Sequence, residues 1–503
     1  MDRRQFIKGV AGAGALGLVP RMAMAEEDVY YAGFRKGLAK HPWLGAFTGA
    51  STELDAAPVK FEGKLPRELR GVLYRNGPGL IERGGQRYQH LFDGDGMVQA
   101  YAIGDNGLTH RGRFVRTRKF IAETEAGKFL FPGFGTSVKS KFPLGVPDSV
   151  NVANTNVVAH GGRLMALWEA GSAYELDPAT LDTRGPVTWA KDYKGMPFSA
   201  HPKIEPDGTM WNFGAFAGVL ALYHIGADGK LIKADAIKVP GLAMNHDFLV
   251  SSRHLIFVLP PMRVNLEKVR EGVSLLDSMD FFKNEPMRVL TIEKSDFAKQ
   301  RTYELPPGFL FHCGNGWEDK DGMIRFDYVR QDAGAGFLTG PMRALMRGDV
   351  SALTPAHSRS TQVVIDTARG AIREQMQNEN VEFPRIDPRF VGVRNRHLFH
   401  VANTGKNHNT FAMNTVLRFD LDTGKTDQFR FGGEVCLEEH IVVPRPGRSG
   451  EGDGWLIGCG FNATTSRTEV FVFDALNVAA GPIAIARLPY AVPLGFHGDF
   501  LPV

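Results

Sequence analysis

Short runs of apolar or alternating residues recur along the chain, and most of them end in a turn-forming cluster. The runs 156–158, 164–168, 210–213, 255–259, 323–328, 397–401, 455–458 and 470–473 have the length and the β-branched or aromatic character of strands. Turn sequences punctuate the chain, among them Gly104-Asp105-Asn106-Gly107, Pro206-Asp207-Gly208, Ala227-Asp228-Gly229, Lys320-Asp321-Gly322 and Asp422-Thr423-Gly424. Asn-Gly and Asp-Gly pairs reverse a chain tightly because glycine and, to a lesser degree, Asn and Asp accept the left-handed backbone such turns need. Helical spacing is scarce, with 266–270 and 342–346 the best segments, both short. Many antiparallel hairpins and few helices predict an all-β fold: a sandwich, a barrel or a propeller. A chain of 503 residues is too long for one sandwich. Radial repetition accommodates that size and brings inner strands together on one axis. No clean repeat of blade length emerges, so periodicity alone leaves the blade number open.

Composition narrows the class. Apolar residues make up 43% and charged residues 23%, as in ordinary globular proteins. The net charge of +4 is spread through both signs, without the basic stripe a nucleic-acid binder needs. No Pro/Ser-rich or charged linker interrupts the chain, so residues 26–503 are read as one domain. Residues 1–25 are read separately. Arg3-Arg4-Gln5-Phe6 opens a Gly/Ala-rich apolar stretch that ends at Ala23-Met24-Ala25, the form of a twin-arginine export signal. The expected location is therefore periplasmic or extracellular. No later stretch is long and apolar enough to span a bilayer. Three cysteines, Cys313, Cys436 and Cys459, form no paired framework.

Four histidines stand in chemically loaded contexts: Ser199-Ala200-His201-Pro202, Asn245-His246-Asp247, Phe311-His312-Cys313 and Phe496-His497-Gly498. They are 45, 66 and 185 residues apart, so only a closed fold could gather them. An all-imidazole site suits a first-row transition metal. Cys313 would point the other way along a strand from His312, which removes it from the ligand set.

Leu73-Tyr74-Arg75-Asn76-Gly77-Pro78-Gly79, Phe92-Asp93-Gly94-Asp95-Gly96-Met97, Ala200-His201-Pro202-Lys203 and Phe496-His497-Gly498 together resemble the carotenoid cleavage oxygenase family. Glu82-Arg83-Gly84-Gly85-Gln86-Arg87 and Phe198-Ser199-Ala200-His201 are most similar to its bacterial apocarotenoid branch. The resemblance implies a seven-bladed β-propeller with loops and short helices capping one face. It implies one Fe(II) held by His201, His246, His312 and His497, with Glu169, Glu382 and Glu439 behind three of these ligands. A carboxylate on the far nitrogen of an imidazole fixes its tautomer and direction, which gives those glutamates a chemical reason. Thr155 matches the small residue that shields one open metal position. Trp168 and Phe311 are read as cavity walls. The implied reaction is oxidative scission of one carbon–carbon double bond by O₂, giving two carbonyl products.

Other readings compete. The lignostilbene dioxygenase branch cleaves phenolic stilbenes and holds the phenol with a Tyr and a Lys, for which Tyr88 and Lys119 stand in similar contexts. A non-catalytic ligand-binding propeller and a zinc hydrolase complete the set; four imidazoles would leave tetrahedral zinc no water position. Phe129-Leu130-Phe131-Pro132-Gly133-Phe134, with Lys139, Lys141 and Phe142, is read as a membrane-touching patch over 129–142. The expected partners are an apolar small molecule and O₂, with no nucleic acid.

Overall fold

The computed structural model describes residues 28–139, 147–216, 218–242, 244–331, 334–353, 357–404 and 412–503. The export segment and the lysine and phenylalanine at 141 and 142 lie outside the described residues. Seven antiparallel sheets of four or five strands form a seven-bladed β-propeller. The innermost strands are His497–Pro502 (blade 1), Asn156–His160 (blade 2), Lys203–Ile204 (blade 3), Leu249–Val250 (blade 4), Phe309–Glu318 (blade 5), Val381–Arg385 (blade 6) and Val435–Pro444 (blade 7). Blade 1 mixes the two ends of the chain: His497–Pro502 pairs with Gly71–Leu80, Asn76 opposite His497. Blade 7 takes its outermost strand, Phe61–Gly63, from the N-terminal side, paired with Ala484–Arg487. The ring is thus closed by strands from both directions.

Blades pack face to face, so their middle strands are covered on both sides. In Gly454–Asn462 the residues Trp455, Ile457 and Cys459 pack in one interblade cluster, and Leu456 packs in another. Such strands read as continuous apolar runs rather than alternating ones. All eight predicted runs coincide with strands, with only residues 168 and 323 falling one position outside. The Gly104–Gly107 sequence closes the hairpin between Asp95–Gly104 and Gly107–Phe114. Gly84 and Gly85 have φ of +53° and +75°, the two left-handed positions of a type I′ turn, and they join Glu82–Arg83 to Gln86–Arg87.

The predicted helix at 266–270 is present as Leu266–Arg270, and 342–346 is the last part of Gly336–Met346. Two further helices were not evident in the pattern. Val29–Lys40 is capped by Asp28, which accepts from the Tyr31 N–H. Arg118–Ala126 is capped by Thr117 and stopped by Gly127 at φ +62°. Phe34, Phe47, Tyr88, Phe129, Met342 and Met346 join the first helix, the last helix and the intervening loops in one apolar cluster over the cavity.

Candidate metal centre

Each of the four histidines belongs to the innermost strand of its blade or to the approach to it. His201 precedes Lys203–Ile204, His246 precedes Leu249–Val250, His312 lies in Phe309–Glu318, and His497 opens His497–Pro502. Their potential ligand atoms all lie within 4.8 Å of one another. Nε2 to Nε2 distances are 2.9 Å from His201 to His246, 3.2 Å from His246 to His312 and 3.1 Å from His312 to His497. The ladder is irregular where site residues are presented. Pairing shifts between Leu310 and Cys313, between Glu382 and Arg385, and between Leu437 and His440. A bulge re-aims side chains, here toward the axis. Phe383 adopts φ +53°, an uncommon backbone for a bulky residue, and its ring stacks on His312 at 5.2 Å.

Three carboxylates face the outer nitrogens. Glu169 Oε1 contacts His246 Nδ1. Glu382 Oε2 lies 2.6 Å from His312 Nδ1, and Glu439 Oε1 lies 2.9 Å from His497 Nδ1. His201 has no carboxylate partner among the described residues. The carboxylates place the proton on Nδ1, so each paired ring turns a bare Nε2 lone pair inward. Burial holds His201 and His246 well below the ordinary imidazole value, and it holds His497 down to about 4 although Glu439 pulls upward. Burial pushes Glu439 up, but Arg385, His497 and Arg75 outweigh it and hold the carboxyl well below the usual range. Glu382 shows the same contest, won by His312.

Converging lone pairs repel unless a cation sits between them. First-row metal–imidazole bonds of about 2.1 Å put neighbouring octahedral ligands about 3.0 Å apart, close to the three distances observed. The donor set therefore fits a transition metal with four neutral ligands and positions left over.

Three of the imidazoles, those of His246, His312 and His497, border a cavity of about 730 Å³. Thr155, Trp168 and Phe311 all line it, beside Glu169 and His246. Thr155 donates its hydroxyl to Asn154 Oδ1 at 3.1 Å, which leaves its methyl for the cavity. The Phe311 ring stands edge-on to His246 at 5.2 Å.

Two expectations meet a different arrangement. Tyr88 and Lys119 do come together, Nζ to hydroxyl 2.5 Å, but in a sealed cluster away from the cavity lining. The Tyr88 hydroxyl donates to Glu123 at 2.9 Å, Lys119 also bonds Asp95 at 3.0 Å, and Phe129 stacks on the Tyr88 ring at 3.8 Å. A phenol clamp needs open donors; here each is taken by a neighbour. Two aromatics of the expected patch, Phe129 and Phe131, also turn inward. Phe129 and Phe131 are buried because they pack over Tyr88 and against Glu123, whose Oε1 accepts from the Leu130 and Phe131 N–H groups.

Sequence reasoning gave no site role to Arg75 or Arg385. Arg75 bonds Glu438 Oε2 at 3.1 Å and Glu439 Oε2 at 2.8 Å, and Arg385 grips Glu439 at 2.6 and 2.9 Å. Glu438 lines the cavity. A buried arginine inside the Tyr74-Arg75-Asn76 motif, needing a carboxylate, was the available signal for the Glu438-Glu439 pair.

Residues 47–502 match the retinal pigment epithelial membrane protein (RPE65) family. The apocarotenoid-15,15'-oxygenase of Synechocystis is 30% identical over 93% of this chain and 97% of its own. The lignostilbene-alpha,beta-dioxygenase isozyme III of Sphingomonas paucimobilis is 29% identical, covering 92% and 98%. The crystal structure of the cobalt-substituted Synechocystis enzyme superposes with a TM-score of 0.82 at 29% identity, covering 92% of this chain and 98% of that one. The chain belongs to the retinal pigment epithelial membrane protein family, the carotenoid cleavage oxygenases, and is an oxidoreductase of that dioxygenase type.

Proposed function

We propose that this protein is a non-haem Fe(II) dioxygenase that cleaves one double bond of an apocarotenoid into two carbonyl products, with O₂ as the only cosubstrate. One observation carries the reading: four imidazoles converge on one point at the wall of a large apolar cavity. His201, His246, His312 and His497 would hold one iron per chain. Bound Fe(II) supplies the one-electron chemistry that O₂ needs to react with a closed-shell alkene. The chain's own residues do the rest. Glu169, Glu382 and Glu439 orient the ligands and balance the metal's charge. Trp168, Phe311 and the Thr155 methyl exclude water and hold one bond of the conjugated chain in reach. The sealed Tyr88–Lys119 cluster weighs against a phenolic stilbene held as the sequence suggested.

The twin-arginine start supports export of the folded, metal-loaded protein. Exposed Phe216 and Leu266 at the cavity mouth, beside Lys268 and Arg270, support peripheral membrane contact there in place of the 129–142 segment. Among the described residues no helix is long and apolar enough to cross a membrane. The deciding experiment incubates iron-loaded protein in air with an apocarotenal and with a hydroxystilbene and identifies the aldehydes. Cleavage of the stilbene alone would overturn the apocarotenoid assignment.

A further inference from the structure

The cavity crosses the propeller axis. Its mouth is framed by exposed Phe216, at the end of the blade 3 strand Met210–Phe216, and by exposed Arg263 and Leu266 of the blade 4 excursion. On a ring of seven, blade 7 lies three steps from blades 3 and 4, across the axis. There the cavity ends against Met413, Leu437, Glu438, Leu494 and Phe496. A substrate that enters at the mouth and passes the imidazoles brings its leading end to this wall.

Glu438 is the exception in that apolar wall. It is 3% exposed and borders the cavity. Its Oε2 accepts from Arg75 Nε at 3.1 Å, and Oε1 has no hydrogen-bond partner among the described residues. Glu438 is not the only partner of Arg75, because Glu439 bonds it at 2.8 Å and the Phe496 carbonyl takes another N–H at 2.9 Å. A carboxylate oxygen that faces the cavity without a protein donor, in an otherwise apolar wall, is one an incoming donor can satisfy.

We propose that Glu438 determines specificity by accepting a hydrogen bond from a hydroxyl at the leading end of the substrate, so that a polyene alcohol binds in preference to the aldehyde of equal length. This rests on the polyene reading of the site. An aldehyde oxygen only accepts, so it would set its lone pairs against the carboxylate. A site built to bond a hydroxyl discriminates strongly against the analogue lacking the donor.

The test is an anaerobic titration of the metal-loaded protein, so that binding is read without turnover. Tryptophan quenching gives Kd for a polyene alcohol, its aldehyde and its methyl ether, in wild type and in Glu438→Gln. Wild type should favour the alcohol over both others by roughly 10-fold or more. Glutamine, which donates as well as accepts, should bring the alcohol-to-aldehyde ratio near one while metal content stays unchanged. A wild-type ratio of one or below, an ether that binds as tightly as the alcohol, or an undiminished preference in the folded glutamine variant would overturn the inference. The ether comparison decides on wild type alone if the variant fails to fold. Admitting air then tests the reaction separately: polyenes that bind with this preference but yield no carbonyl fragments overturn the proposed activity and leave the role of Glu438 standing. Failure of any polyene to bind overturns both.

Discussion

Replacing Glu439 by glutamine keeps the shape of the side chain and removes its charge, and the structure says what that charge restrains. Glu439 is 2% exposed at the side chain and receives His497, Arg75, two contacts from Arg385 and the Gly498 N–H. Arg75 retains Glu438, but Arg385 would keep only the Gly498 carbonyl among its described partners. Breaking a buried ion pair costs about 3–5 kcal/mol, and the side chain of Arg385, 31% exposed, moves the figure to the lower end, about 3 kcal/mol. At about 2.1 cal/mol/K per residue, the unfolding entropy of a 503-residue chain is about 1 kcal/mol/K, so Tm should fall by about 3 °C. Glu169 is the control. It bonds only His246 and its side chain is 25% exposed, so Glu169→Gln should leave Tm of the metal-free protein within about 1 °C of wild type. Both variants should lose metal to a chelator about 10–100-fold more readily. The assay is thermal unfolding of the metal-free proteins at matched heating rates, followed by chelator competition. If metal-free Glu439→Gln melts with wild type, or if Glu169→Gln falls equally far, the arginine network does not stabilise the fold as argued.

His312→Ala should abolish both turnover and stoichiometric metal binding, measured by metal analysis and product formation; an active variant with unchanged metal would sink the ligand assignment. Tyr88→Phe should lower Tm by about 1–3 °C, since it strips Lys119 and Glu123 of a buried partner worth about 1–3 kcal/mol. The same change should leave the preference for hydroxylated over plain stilbene untouched, and a loss of that preference in kcat/KM would restore the phenol clamp. Burial pushes the Asp327 carboxyl up to about 7, with Asp247 adding to the shift and Asn315 and Lys203 opposing it. The fold therefore binds this proton more tightly than the unfolded chain does, so its stabilisation is complete below pH 3.8 and is lost as pH rises through about 7. Asp327→Asn should remove that loss, gaining up to about 4 °C on wild type between pH 4 and pH 8, and parallel Tm curves would contradict it.

Hairpin signals and strand-length runs were enough to read an all-β fold with a central axis, because turn chemistry is local. The seven blades were not, because strands covered on both faces blur the alternation and no repeat unit survives in the residues. The resemblance supplied that number. The histidines and their glutamates were legible as motifs, and Glu439 contacts His497. Arg75 and Arg385 were missed because a charge clamp whose partners lie 364 and 54 positions away leaves no spacing to read. Tyr88 and Lys119 show the opposite error: the pair was found, but its neighbours Glu123 and Phe129, which close it off, were not weighed.

The strand that shuts the ring also begins with one of the four candidate metal ligands. His497 pairs with Asn76 across the junction where the two ends of the chain meet, and the other three ligands belong to blades 3, 4 and 5. Parting that seam would pull one ligand away from three. A bound metal would thus be a rivet across the joint where the two ends of the chain meet, and its contribution should appear as slow unfolding more than as equilibrium stability. Stripping the metal should accelerate opening at blade 1 before any other blade exchanges its amide protons.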